Sequence, residues 1–218
     1  MSLPEDFTVY LRHTDAVDCN TPSVIDFARQ AAEDATSKIE KAVRLFYAVR
    51  DGIRYNPYDV DPIHNRFTAS KVLAKGKGFC VEKALLLAAA ARSLEIPSRL
   101  GFADIRNHQT SEKLKAYMKT DIFAFHGYTD LFLDGKWIKA TPAFDLPLCK
   151  RQDIYPVEFD GTADAIFQKY DRQGKLHIEY VRYHGTFNDL PQEKIIEGFR
   201  EYYPSFFDDN GNSAIFGE

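Results

Sequence analysis

Cys80, His126 and Asp145 stand in the sequence in the order of a nucleophile, a base and an orienting acid. Cys80 follows Gly76-Lys77-Gly78-Phe79 and opens an almost wholly apolar stretch from Val81 to Leu94. A thiol in the first turn of a helix meets unpaired backbone N–H groups and the positive end of the helix dipole, and both favour the thiolate. A free cysteine titrates near pH ~8.5, and such a position with a cationic neighbour lowers that to roughly 3.5–7.5. Taken alone, a cysteine ahead of an apolar helix is more often a small core residue.

His126 lies in the strand-like run Phe123-Ala124-Phe125-His126-Gly127-Tyr128-Thr129-Asp130. Alternation puts His126, Tyr128 and Asp130 on one face, and an imidazole on a rigid strand is well placed as a general base. The competing reading is a core histidine bonded to backbone. The other histidines offer less. His64 and His108 fall in polar loops, His13 lies near an end, and His177 and His184 bracket a late strand without an acid-rich context. Among acids after His126, Asp134 belongs to a turn with Gly135, and Asp130 sits further along the same strand. Asp145 follows the next strand and returns beside His126 if the two strands pair, which completes a Cys–His–Asp set.

The elements that must position these residues are readable in outline. Phe7–Thr14 alternates and predicts a strand. Thr21 and Pro22 predict a helix start, and Ser37 with Glu40 a capping box ahead of a helix whose apolar face is Ile39, Val43, Phe46, Tyr47 and Val49. Tyr55 to Phe67 is a Pro-, Asp- and Asn-rich loop, and a short helix stops at the glycines before Cys80. The helix after Cys80 carries charge only at Glu82, Lys83 and Arg92, so it is expected to be buried all round until Pro97. A strand follows, then a polar connection, then two strands joined at Asp134-Gly135. A late strand over Leu176–His184, a helix opening near Leu190-Pro191 and a fraying C-terminus from Asp208 complete the chain. Helices first and strands after predict an α+β fold, with a central helix on an antiparallel sheet, in one domain over 1–218.

The composition of the 218 residues, 44 % hydrophobic and 14 % aromatic, allows a sizeable core. A net charge of -4 gives no basic stripe for nucleic acid, and the small group Lys71, Lys75 and Lys77 reads as a solvated turn. No basic leader or long apolar run is visible, so no membrane association is expected. Three widely spaced cysteines, Cys19, Cys80 and Cys149, without a CxxC, predict reduced thiols and a cytoplasmic protein. The six histidines show no metal-ligand spacing, and the Gly-Lys-Gly run lacks the Gly-Lys-Ser/Thr ending of a phosphate loop, so neither metal nor cofactor is expected.

Taken together, Gly78-Phe79-Cys80, the apolar helix, the lead Glu95-Ile96-Pro97-Ser98-Arg99, then His126, Tyr128, Asp130 and Trp137, resemble the transglutaminase-like superfamily of papain-like folds over roughly residues 37–147. Residues 148–218 are then a C-terminal strand and helix extension. The resemblance implies thiolate attack on an amide carbonyl, a thioester intermediate, and release to water or to an amine. It implies Cys80 as nucleophile and His126 as base. It departs from the family at one place: the acid usually found four residues after the Trp is Thr141 here, and Asp145 comes four residues later. The expected orienter is Asp145, with Thr141 the alternative. Tyr55 or Asn56 is expected to add an oxyanion donor to the Cys80 N–H, and Tyr128 to support the histidine. Peptide, protein or small amide substrates are implied, with hydrolysis favoured over cross-linking. An arylamine-type acyltransferase and a catalytically silent peptide-binding domain are the rivals.

Overall fold

The computed structural model describes residues 7–60 and 67–207. His64, part of the loop before Cys80 and the expected C-terminal fray lie outside the described residues.

Three helices lead in: α1 (Pro22–Ala31), α2 (Lys38–Gly52) and α3 (Ala69–Lys75). Ser37 caps α2 through the Glu40 amide while the Glu40 carboxylate returns to the Ser37 amide, as the spacing predicts. Helix α3 stops at Gly76, whose φ of 63° ends the helix in the left-handed region that glycine adopts freely. The chain then pairs two short parallel strands, β1 (Arg54–Tyr55) and β2 (Lys77–Gly78), and enters α4 (Cys80–Ser93).

Every residue of α4 from Cys80 to Arg92 is buried. Its charged side chains have backbone or charged partners, yet burial still pushes Lys83 down to about 7 and Glu82 up to about 7. The Lys83 ammonium donates to the carbonyls of Arg50 (2.8 Å) and Ile53 (2.6 Å), at the C-terminal end of α2, where the helix dipole favours a cation. Arg92 spans the carbonyls of Arg12, Ser98 and Asn188. Glu82 accepts the Phe79 amide at 3.0 Å and satisfies one orphan donor of the helix start.

Behind α4 stands an antiparallel sheet of β3 (Ser98–Asn107), β4 (Ile122–Leu133), β5 (Lys136–Ala140) and β6 (Ile178–Phe187), in the order β5-β4-β3-β6. Helix α5 (Glu112–Met118) fills the connection between β3 and β4, α6 (Leu146–Gln152) follows β5, and α7 (Gln192–Tyr202) packs against β4. Two buried hydroxyls pin α4 to the sheet: Thr129 donates to the Ala84 carbonyl and Ser98 to the Ala88 carbonyl. Gly127 permits the closest approach. A Cβ there would lie 2.8 Å from the Val81 Cα, so no larger residue lets β4 meet the first turn of α4.

The predicted N-terminal strand is corrected. Phe7–Tyr10 forms a 3-10 turn, not a strand. Phe7 and Tyr10 both lie on Trp137, with ring centroids 5.5 and 5.0 Å away. Residues three apart share a face in a turn of helix but not in a strand, so aromatic packing overrides the alternation.

Candidate functional site

Cys80 is the first residue of α4 and is only 6 % exposed. The backbone N–H groups of Gly127, Val81 and Cys80 approach its sulfur and favour the thiolate, but burial outweighs them and pushes the thiol up to about 11. The expected low pKa is therefore not found in this closed site. The helix terminus acts as predicted, and desolvation acts against it more strongly.

His126, on β4, directly precedes Gly127, whose backbone packs against the first turn of α4. Its ring lies against Phe167 at 4.9 Å and faces the edge of Tyr180 at 6.3 Å. Burial pushes the imidazole down to about 3, and Nε2 has no hydrogen-bond partner. Burial thus favours a neutral thiol and a neutral imidazole, and no hydrogen bond joins the two side chains among the described residues.

Asp145 does not meet His126. It caps α6, accepting the Leu148 amide at 2.8 Å on one oxygen, and takes the Tyr55 amide at 2.7 Å on the other. Both oxygens are thus committed to backbone donors that would otherwise be orphaned, which is why a carboxylate is favoured at a helix start. The expected orienting bond is corrected to a structural one that ties α6 to the segment ahead of Cys80. Thr141 lies at the end of β5, fully buried, beside the Tyr180 phenol, and its Oγ1 makes no well-formed hydrogen bond.

The supporting residues separate. Tyr55 is next to the thiol, its phenol pushed well above the usual range by burial and by Cys80, and its ring meets Phe144 edge-on at 5.0 Å. Asn56 holds the Gly78 carbonyl through its amide, while its side-chain oxygen accepts the Tyr58 amide. Tyr128 covers Gly101 on β3, where a Cβ would fall 2.2 Å from the ring, so it packs the sheet. Arg99, Asp130 and Trp137 form a brace: Nε of Arg99 donates to Asp130 at 2.9 Å and its guanidinium stacks over Trp137 at 4.1 Å.

Several site neighbours had no signal in the sequence. Phe199, Tyr203 and Phe206 close a cavity of about 50 Å³ over Cys80 together with Tyr55 and Phe123. Asp104, buried on β3, accepts His184 Nε2 at 2.7 Å and the Phe125 amide at 2.9 Å, so the context of His184 is acidic after all. Only the fold joins these residues, which lie 80 apart in the chain. Among the described residues no group of three or more His, Cys, Asp or Glu is placed to hold a metal ion, and no helix is long and apolar enough to cross a membrane.

Among solved structures the chain is similar to a protein from Cytophaga hutchinsonii described as a "putative cysteine protease", with a TM-score of 0.52 and 14 % identity over 85 % of this chain and 55 % of that one. The chain therefore spans about half the length of that relative. A second structure, a "putative protease" from Parabacteroides distasonis, gives a TM-score of 0.40 and 16 % identity over 62 % of this chain and 25 % of the other. Comparison with curated proteins gives no match. Residues 25–142 match the transglutaminase-like superfamily, more than half of the chain, in a stretch that contains Cys80, His126 and Thr141 and ends before Asp145. With the thiol at the start of a buried helix and the histidine on the strand beside it, the chain belongs to the transglutaminase-like superfamily.

Proposed function

We propose that this protein hydrolyses or transfers the acyl group of amides through a thioester on Cys80, with His126 moving the proton. The observation that carries the reading is Cys80 as the first residue of buried α4, with β4, the strand that carries His126, packed against that first turn at Gly127. Both groups start neutral. As the sulfur bonds to the substrate carbonyl carbon, the thiol proton passes to His126, and the carbonyl oxygen becomes an oxyanion. The Cys80 N–H and a donor from the Tyr55–Asn56 segment stabilise that charge. The C–N bond then breaks and the imidazolium protonates the leaving amine. Water next gives a proton to His126 while its oxygen takes the acyl carbon. The C–S bond breaks and the proton returns to the sulfur. An amine in place of that water gives acyl transfer. Peptides and small amides are the substrate class.

A second reading, a domain that binds peptides without turnover, is favoured by one observation. The position where the resemblance implies an acid holds Thr141, and among the described residues no carboxylate bonds the His126 ring.

Intact-mass measurement after exposure to a panel of peptide amides and activated esters separates them. Hydrolysis or transfer predicts an acyl adduct on Cys80 that Cys80→Ser abolishes and His126→Ala slows. Adducts confined to Cys19 or Cys149, or none with any donor, exclude it.

A further inference from the structure

Beside the thiol cavity lies a larger cleft of about 410 Å³, a volume in the range of small-ligand sites. The two spaces share Tyr55, Pro57 and Phe123 as a common wall. Two arginines line the cleft, Arg54 from β1 and Arg151 from α6, and among the described lining residues there is no acid. Both arginines are exposed, and neither makes an ion pair among the described residues. Lys113 adds a third cation at the rim, 5.6 Å from the ring of Tyr58, a lining residue. The contrast within the molecule is informative. A groove of about 480 Å³ elsewhere is lined by Asp15, Asp189 and Glu193 with one lysine, as expected of a chain with net charge -4. Cations with no acid among the described lining residues thus distinguish this cleft from that groove.

We infer that this cleft is the subsite that selects the substrate, and that it takes a carboxylate: the amide attacked at Cys80 belongs to an anionic peptide or small amide. The inference rests on the proposed role of Cys80 for its place in the reaction, but not for the binding itself. A guanidinium presents paired donors matched to a carboxylate, and two of them line this one cleft. Phe123 and Phe144 give an apolar floor for the carbon chain, and Asn56 and Ser111 supply polar edges. Tyr55 borders both spaces, so the anion site and the thiol cavity meet at this residue. The backbone beneath Tyr55 stays fixed because Asp145 holds its amide.

The test uses two matched pairs on the full chain. The α-amides of N-acetylglutamate and N-acetylglutamine, which differ only in the side-chain carboxylate, are compared for binding by calorimetry, and their chloroacetyl counterparts for alkylation of Cys80, where the sulfur displaces chloride. At low salt the acidic member of each pair is expected to win by about tenfold. Arg54→Ala and Arg151→Ala should each remove most of that preference, and salt should weaken it. Folding of the variants is checked by circular dichroism, and Arg54→Lys and Arg151→Lys, which keep the charge, should retain part of the preference. Equal binding of the acid and the amide overturns the inference, and so does a preference that both alanine variants retain. Inorganic phosphate binding more tightly than the α-amide of N-acetylglutamate overturns the carboxylate assignment. If the acid binds selectively but neither chloroacetyl compound labels Cys80, the anion site stands and the nucleophile reading falls.

Discussion

The Asp104 carboxylate accepts the Phe125 amide at 2.9 Å, and Phe125 is held at a φ of 52°, immediately before His126. The β3–β4 register shifts between Ala103 and Ile105, so β4 bulges where the candidate base begins. A non-glycine residue in the left-handed region costs on the order of 1–3 kcal/mol and persists only where its surroundings hold it. Here the surroundings are Asp104, His184 stacked on the Phe125 ring at 4.0 Å, and Gly198, where a Cβ would fall 2.5 Å from that ring. The bulge thus sets the direction of the His126 side chain.

Asp104→Ala should therefore lose stability, by about 2 kcal/mol, because it strands a buried amide and unties His184. Asp104→Asn keeps an acceptor for Phe125 and should lose less. Urea denaturation gives the stabilities. Alkylation of Cys80 reports the site: if Asp104 only stabilises the fold, both variants alkylate Cys80 at a rate unrelated to the loss of the Phe125 contact.

The parts that were legible in the sequence are those set by local pattern. An apolar run bounded by Cys80 and Pro97 can only be a buried helix, and Asp134-Gly135 between two apolar runs can only be a hairpin. What was not legible depends on where the chain goes next. Asp145 looked like an acid returning to His126, but residues 141–146 turn into α6, and the carboxylate is taken by two amides, one of them 90 residues away. His184 looked isolated because two strands and two helices separate it from its partner Asp104 along the chain. The level of the thiol pKa was not legible either, since it depends on how deeply Tyr55, Tyr203 and Phe206 bury the helix start.

That burial makes an accessibility prediction. Phe206 and Tyr203 cover the cavity over Cys80 and are themselves 7 % and 5 % exposed. Phe206→Ala should speed iodoacetamide modification of Cys80 at pH 8 several-fold over Cys19 and Cys149, while costing about 3–5 kcal/mol. Leu133→Ala, remote from the thiol cavity but also in the core, controls for general loosening. Equal acceleration of all three thiols in both variants would show that the cover is not specific.

Acid stability should report His126. Its folded pKa is about 3 against an ordinary 6.5, so between those values the unfolded chain binds a proton that the folded chain does not. Stability contributed by the neutral ring is complete above pH 6.5 and is lost as pH falls towards 3. Cys80 works in the opposite direction at the alkaline end: its folded pKa of about 11 lies above the ordinary 9.0, so its contribution is lost as pH rises from 9.0 towards 11. Replacing His126 by Gln should flatten the acid limb, by an amount on the order of a few kcal/mol, and leave the alkaline limb as it was. Parallel pH–stability curves for the two proteins over the acid limb would mean that the ring is hydrated in solution.

Thr141 offers the sharpest test of what the site lacks. Among the described residues its hydroxyl and His126 Nε2 are both buried without a well-formed hydrogen bond, and Thr141 stands where the resemblance implies an acid. Thr141→Ala should change stability little, because it removes an unsatisfied polar atom along with a methyl group. Thr141→Asp places a carboxylate where an imidazolium can form beside it, and opposite charge in a buried site favours the charged ring. The His126 pKa should rise by more than one unit, seen in its imidazole proton shifts. The pH profile of Cys80 alkylation should move towards acid as the proton is held more readily on the ring. A His126 titration unchanged in Thr141→Asp would place the threonine outside the reach of the ring. The missing partner would then have to come from the Tyr180–Phe167 side, where the phenol already receives the Phe167 amide at 3.3 Å.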